Sequence, residues 1–187
     1  LELALDLGAP PEEAGFYPLI FKIHYADANH YPFSALAFHA QSFPEAVPPP
    51  PAVLAILQPL SLTDRGTLKL KLKSLLDTPF DLLLRLHLPD ELSCETPELN
   101  LLLTPGRERQ VEFPLVNFSG RPGSRYTLLV VAGYRAGGVY CGLPIVGSVE
   151  IRTGRPALRH RPMVWLTVVL LLAAAGLLAQ WIRRRPN

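Results

Sequence analysis

Five histidines and two cysteines are all the imidazoles and thiols in this chain, so metal or nucleophile chemistry has to start from them. His24, Asp27 and His30 lie around one turn, and imidazole with carboxylate is a ligand set that divalent transition metals accept. These three are the candidate metal ligands. A loop that merely contains two histidines explains the same spacing, and no His-x-His or Cys-x-x-Cys backs them up. A cupredoxin copper site needs a cysteine closely followed by histidine and methionine. Cys141 is followed instead by Gly142-Leu143-Pro144-Ile145-Val146, which argues against it. No nucleophile elbow, P-loop or dinucleotide fingerprint occurs, so the sequence predicts no catalytic residue and no cofactor. Asp90 and Glu91 are adjacent carboxylates in a loop, where solvation is their ordinary explanation. His87 falls on the outward side of its segment. Lys69, Lys71 and Lys73 make a positive row that could attract anionic lipid or an acidic partner, or simply be the wet face of a sheet. A net charge of +2 is too small to suggest nucleic acid.

The elements that would carry these residues are strands. Twenty prolines argue against a helical bundle and for short strands joined by turns. Residues 1–7 (LELALDL) alternate, with Leu1, Leu3, Leu5 and Leu7 on one face. After a loop over 9–15, residues 16–25 and 31–43 read as two more strands, with Asp27-Ala28-Asn29 as the turn between them. Three strands are too few to stand alone. Residues 1–43 are therefore read as a partial β unit. Residues 44–52, with four consecutive prolines, form a stiff linker.

From 53 to 152 the alternation is strong. Leu68, Leu70 and Leu72 face in while the three lysines between and after them face out. Phe80, Leu82, Leu84, Leu86 and Leu88 share a face. So do Leu99, Leu101 and Leu103, then Val111, Phe113 and Leu115, then Tyr126, Leu128, Val130 and Ala132. Pro114 cannot donate to a ladder and marks its strand as an edge or bulged. Ala136-Gly137-Gly138 is a hairpin turn into a last strand near 143–151. With 53–62 as the first, seven strands are expected, a count and spacing that fit an antiparallel sandwich. Pro122, Gly123 and Tyr126 stand in the order Pro-Gly-x-x-Tyr, the segment with which Greek-key sandwiches close a corner through the tyrosine hydroxyl. With the C-terminal span described next, this region resembles bacterial membrane-anchored immunoglobulin-like or fibronectin-III-like modules. The resemblance implies a fold and no particular activity. In such a topology Cys94 and Cys141 fall at opposite ends of the sandwich, too far apart for a disulfide, so no bond is expected.

Residues 153–162 are a basic neck, and 163–182 carry no charge. At about 1.5 Å per residue, that stretch matches the hydrocarbon thickness of a bilayer. Trp165 and Trp181 sit near its ends, where indoles prefer the headgroup level. Arg183, Arg184 and Arg185 follow it in the short tail, 183–187. These five residues are the predicted membrane anchor. Ala175, Gly176 and Ala179 offer a small-residue helix face for a neighbouring helix. The predicted architecture is thus all-β, an antiparallel immunoglobulin-like sandwich with a partial N-terminal β unit and one C-terminal transmembrane α-helix. Met163 is the sole methionine, which with the sandwich class favours an extracytoplasmic (periplasmic) sandwich and a cytoplasmic C-terminus. A tail-anchored cytosolic adaptor is the alternative orientation.

Residues 1–43 also present apolar faces that three strands cannot cover themselves: Leu1 to Leu7, then Leu19, Phe21 and Ile23, then Phe33, Leu36 and Phe38. Cover could come from a partner chain, which is preferred, from upstream strands or from the second sandwich folding back. The functional expectation is a non-catalytic interaction or scaffold subunit, with membrane lipid and other membrane-protein subunits as partners. A surface module for glycan or metal is the alternative.

Overall fold

The computed structural model describes residues 11, 13–43 and 51–153. Period-two alternation decides which side each strand buries. In β5 (Arg65–Ser74), Leu68, Leu70 and Leu72 are buried and the lysines between them are exposed. β5 pairs antiparallel with β9 (Glu108–Asn117), which buries Val111, Phe113 and Leu115 on the same side. With β3 (Val53–Leu57) and the two-residue β7 (Leu92–Ser93), they form a sheet of order β3-β5-β9-β7.

The facing sheet is built on β10 (Arg125–Ala136) and β11 (Val139–Ile151), paired along their whole length across the Gly137-Gly138 turn. Both turn glycines have φ above +60° (61° and 77°), the left-handed region in which a side chain would be strained. β6 (Phe80–His87) and β8 (Glu98–Leu103) extend this sheet on one flank. On the other flank lie β4 (Leu60–Leu62) and the hairpin of β1 (Gly15–Ala26) and β2 (Pro32–Phe43), giving the order β2-β1-β11-β10-β6-β8 with β4 also on β11. Leu82, Leu84, Leu103, Leu128, Val130 and Ile151 meet Phe113 and the leucines of β5 in one core. The fold over the described residues is an all-β sandwich of two sheets.

Several expectations change. The stretch 53–62 is two strands, not one. Pro59 lacks an N–H and restricts Gln58, so the chain breaks there. β3 joins the smaller sheet, and β4 crosses to the larger one. With β7 added, nine strands occupy 53–152 in place of seven. The sheet is not wholly antiparallel, because β1 and β4 both pair parallel with β11. Pro114 does lie on an open edge of an unbulged strand, since β7 reaches only Val116 and Asn117. Residues 15–43 do not form a sheet apart: Gly15 and Phe16 pair with Tyr140 and Cys141 of the sandwich itself. The hairpin is thus joined at its base to the sandwich of its own chain, while Ile23, Tyr25 and Phe38 stay exposed. Gly142 permits the crossing, for a Cβ there would stand 2.5 Å from Pro18.

Both cysteines are free. No helix among the described residues is long and apolar enough to cross a membrane. The stretch 163–182, with Trp165, Ala175, Gly176, Ala179 and Trp181, lies outside the described residues, as do Arg183, Arg184, Arg185 and the strand expected over 1–7.

Phe113 is fully buried between the sheets. Phe113→Ala should lower unfolding free energy by about 3–5 kcal/mol, through lost transfer energy and the cavity left behind. A urea melt of the variant checks this by its midpoint.

Candidate interaction surface

The β1–β2 hairpin is twelve residue pairs long and meets the sandwich at three places. At its base, the Ala14 carbonyl accepts the Tyr140 N–H at 3.1 Å. Beside it Arg135 donates to both Glu13 oxygens, Nε to Oε1 at 2.7 Å and Nη2 to Oε2 at 2.8 Å. Tyr17 stacks on Tyr140 with ring centroids 4.7 Å apart.

The middle contact is a buried carboxylate. The Ser34 N–H donates to Glu91 Oε1 at 2.8 Å, and Ser34 Oγ donates to Oε2 at 2.7 Å. The same Oγ accepts the Asp90 N–H at 2.7 Å. Both Ser34 and Glu91 are buried. The backbone oxygen of Glu91 in turn accepts the N–H groups of Phe118 and Ser119. Glu91 is therefore not the solvated loop acid that its sequence suggests. It ties the hairpin to the loop ahead of β7 and to the turn after β9. Next to it, Lys22 Nζ lies 2.7 Å from Asp90 Oδ1 and His24 Nδ1 lies 3.2 Å from Asp90 Oδ2.

At the tip, Asp27 Oδ1 accepts the N–H groups of Asn29 and Tyr31, and Oδ2 lies 3.6 Å from Arg121 Nη1. The Arg121 guanidinium sits 3.5 Å above the Tyr31 ring, a cation–π contact. Asp27 is thus engaged in its own turn and by an arginine. His24 is directed to Asp90, and His30 takes up the left-handed turn position at φ 60°. The three expected metal ligands do not converge, and no group of three or more potential ligands does so among the described residues.

A hollow of about 600 Å³ lies beside the hairpin, lined by Ile20, Lys22, Leu36, His87, Asp90 and Cys94 among others. Burial lowers the pKa of His87 and raises that of Cys94. At pH 7 the first is a neutral imidazole and the second a protonated thiol, a poor nucleophile. Burial raises Cys141 likewise.

At the segment of the expected corner, backbone groups pair with the end of β11. Gly123, at φ 86°, donates its N–H to the Ile151 carbonyl at 2.7 Å, and the Ile151 N–H donates back to Ser124 at 2.9 Å. The Tyr126 ring is buried. Its hydroxyl lies close to the Arg121 backbone and to Ser124, which partly offset a pKa raised by burial, yet neither contact meets hydrogen-bond geometry.

Outward from these anchors the hairpin is apolar. Ile23 and Tyr25 alternate with Lys22 and His24, so they occupy the face opposite Asp90 together with Leu19 and Phe21. Ile23 is 51% exposed and Tyr25 53%. Tyr25 stacks on Phe33 at 5.7 Å, and Tyr31 is exposed beside them.

No protein-family model matches this chain, and no curated protein does. Solved structures similar to parts of it include alpha-2-macroglobulin from Escherichia coli from its MG7 domain to the C-terminus, at 19% identity over 54% of this chain with a TM-score of 0.46. A Salmonella alpha-2-macroglobulin mutant matches at 15% identity over 74% of the chain, again with a TM-score of 0.46. The chain spans 16% and 9% of those two proteins. A PapD-like domain of human CEP192 matches at 12% identity over 59% of this chain and 93% of its own length, with a TM-score of 0.42.

Glu91→Ala should release the hairpin. It leaves the Ser34 N–H buried without its charged acceptor, at a cost of about 2–3 kcal/mol. Amide exchange over β1 and β2 should accelerate while β5 and β9 keep their protection.

Acid should act in the same direction. Hydrogen bonds from Arg135, Lys22 and the Tyr31 backbone, respectively, lower the pKa values of Glu13, Asp90 and Asp27. Lowered carboxylates stabilise the docked state above their unfolded values, near 4, and lose that contribution as pH falls through the folded ones. Because these pairs are exposed, the effect is small and salt-sensitive. Hairpin amide exchange, corrected for intrinsic rates, should rise as pH drops from about 4.5 towards 3, and more weakly in high salt.

Proposed function

We propose that this chain is a membrane-anchored, non-catalytic interaction subunit whose β1–β2 hairpin engages a second membrane protein. The observation that carries the reading is the apolar row on β1. The hairpin's other face and its tip are held by Asp90, Glu91 and Arg121, yet Ile23 and Tyr25 remain half exposed, with Tyr31 beside them. An exposed aromatic and aliphatic patch on a rigid hairpin is the kind of surface from which interface hot spots are built. The uncharged stretch 163–182 supports the anchor. An extracytoplasmic sandwich with a cytoplasmic tail goes with this reading, and protease added to intact cells would trim the sandwich if it holds. The glycan- or metal-binding alternative has less behind it, since Asp27 is already occupied by its turn and by Arg121.

The test is purification of the full chain in mild detergent from the cells that make it, with mass spectrometry of the accompanying chains. A stoichiometric partner is expected. Ile23→Asp with Tyr25→Asp should weaken its association about tenfold or more while the sandwich stays folded. Recovery of the chain alone, or unchanged association of the charged variant, would overturn the reading.

A further inference from the structure

Leu128 and Val130 of β10 enter the core, so by period two Leu129 and Val131 belong on the opposite, outer face of the larger sheet. Both are nonetheless buried, at 2% and 6% exposure, and neither joins the core between the sheets. For Leu129 the cover is the hairpin. β2 lies against β10, and Leu36 and Phe38 share a hollow with Leu129. The hairpin therefore bridges the outer face, from its base on β11 to the loop at Glu91, without sealing against it.

Two hollows remain beside β2. One, of about 270 Å³, is lined by Leu36, Ala37, Phe38, Thr127, Leu129 and Val146, so it is apolar except for one hydroxyl. The other, of about 230 Å³, has Tyr25, Ser34, Ser124 and Arg125 in its lining. They meet at Thr127, which lines both. Their linings advance together along β2, from 33 to 38, and along β10, from 124 to 129. The pair makes one trough, apolar at one end and hydroxyl-lined with a cation at the other. Among the described residues Arg125 is the only charged one in either lining, and no carboxylate lines either hollow. Arg125 is exposed and forms no ion pair with a described residue, Glu150 across the ladder included. The larger hollow at His87 differs, for its Lys22 is already neutralised by Asp90.

We propose that this trough binds a single-chain anionic amphiphile, a fatty acid, with its carboxylate at Arg125 and its alkyl tail against Leu36, Phe38, Leu129 and Val146. A guanidinium offers a carboxylate two parallel N–H donors, and the hydroxyls beside it can donate as well. Six residues of strand extend about 20 Å. One acyl chain spans half of a hydrocarbon core about 30 Å thick, so head and tail fit end to end. The two hollows together fall in the range of about 300–1,000 Å³ that small-molecule sites occupy. The tail would also cover Phe38 and Val146, which are 42% and 52% exposed. The site shares Tyr25 with the partner surface and stands without the membrane anchor.

Photo-crosslinking decides this. The probe is a long-chain fatty acid carrying a diazirine on its tail, added to the full chain in lipid nanodiscs, with the labelled residues located by mass spectrometry of peptides. Label should concentrate in residues 33–38 and 124–129. Thr127→Phe fills the exposed junction of the two hollows and should cut that label about tenfold. Arg125→Gln should do the same, as expected for one lost charge-assisted hydrogen bond. The alcohol of the same chain length should label these segments only at background. Unchanged amide protection of β5 and β9 in both variants shows that the sandwich is intact. Absence of label from both segments in the unaltered chain would overturn the proposal, as would equal labelling by the alcohol or in either variant.

Discussion

A strand has two edges, and β11 has to satisfy four neighbours with them. β10 takes one edge entirely. The other is divided: β1 holds its start, β4 its end, and the stretch between faces a hollow opposite β3. The rest of the architecture follows from that division. β1 pairs with β11 over only two residues before it must leave the sheet's edge, which carries the hairpin out to the loop around Glu91. β3 and β4 lie in different sheets, and the chain passes between them at Pro59. A single long strand thus sets both where the hairpin stands and where the sandwich is left open at its side.

The core was legible because nothing there competes with the alternation of side chains. Leu68, Leu70 and Leu72, and Val111, Phe113 and Leu115, sit where period two puts them. The break at Pro59 was also written in the sequence, as a missing donor inside an apolar run, though a proline alone does not say to which sheet each half goes. Pairing partners were not legible. Nothing local in Gly15-Phe16 announces Tyr140-Cys141, because a parallel contact between distant segments leaves no turn signature. The candidate surface was read in part. The apolar row containing Ile23 was visible in the alternation, whereas the pairing that docks its base on β11 was not. Glu91 was hidden by an ordinary rule, that acids in loops are solvated. The one hint is its place between Leu88 and Leu92, both packed into or against the core. The His24, Asp27 and His30 spacing misled for the complementary reason: a short aspartate turn uses the same residue types as a metal site, and spacing does not separate them.

The divided edge of β11 also orders events in time. β1 and β2 are the first described strands to be synthesised, and the strand that pairs with their base is the last. Until the loop carrying Asp90 and Glu91 appears, the hairpin has only its own twelve residue pairs, a two-stranded ribbon that is marginal in water, and its base stays unpaired until β11 follows. Its apolar row is bare throughout that interval, along with the larger sheet's unfinished edge. Contacts so distant in sequence close slowly, and the waiting surface is open to whatever is nearby. The chain therefore passes through a stage at which its outermost element is complete and its attachment is not, and a holding chaperone would find its target there.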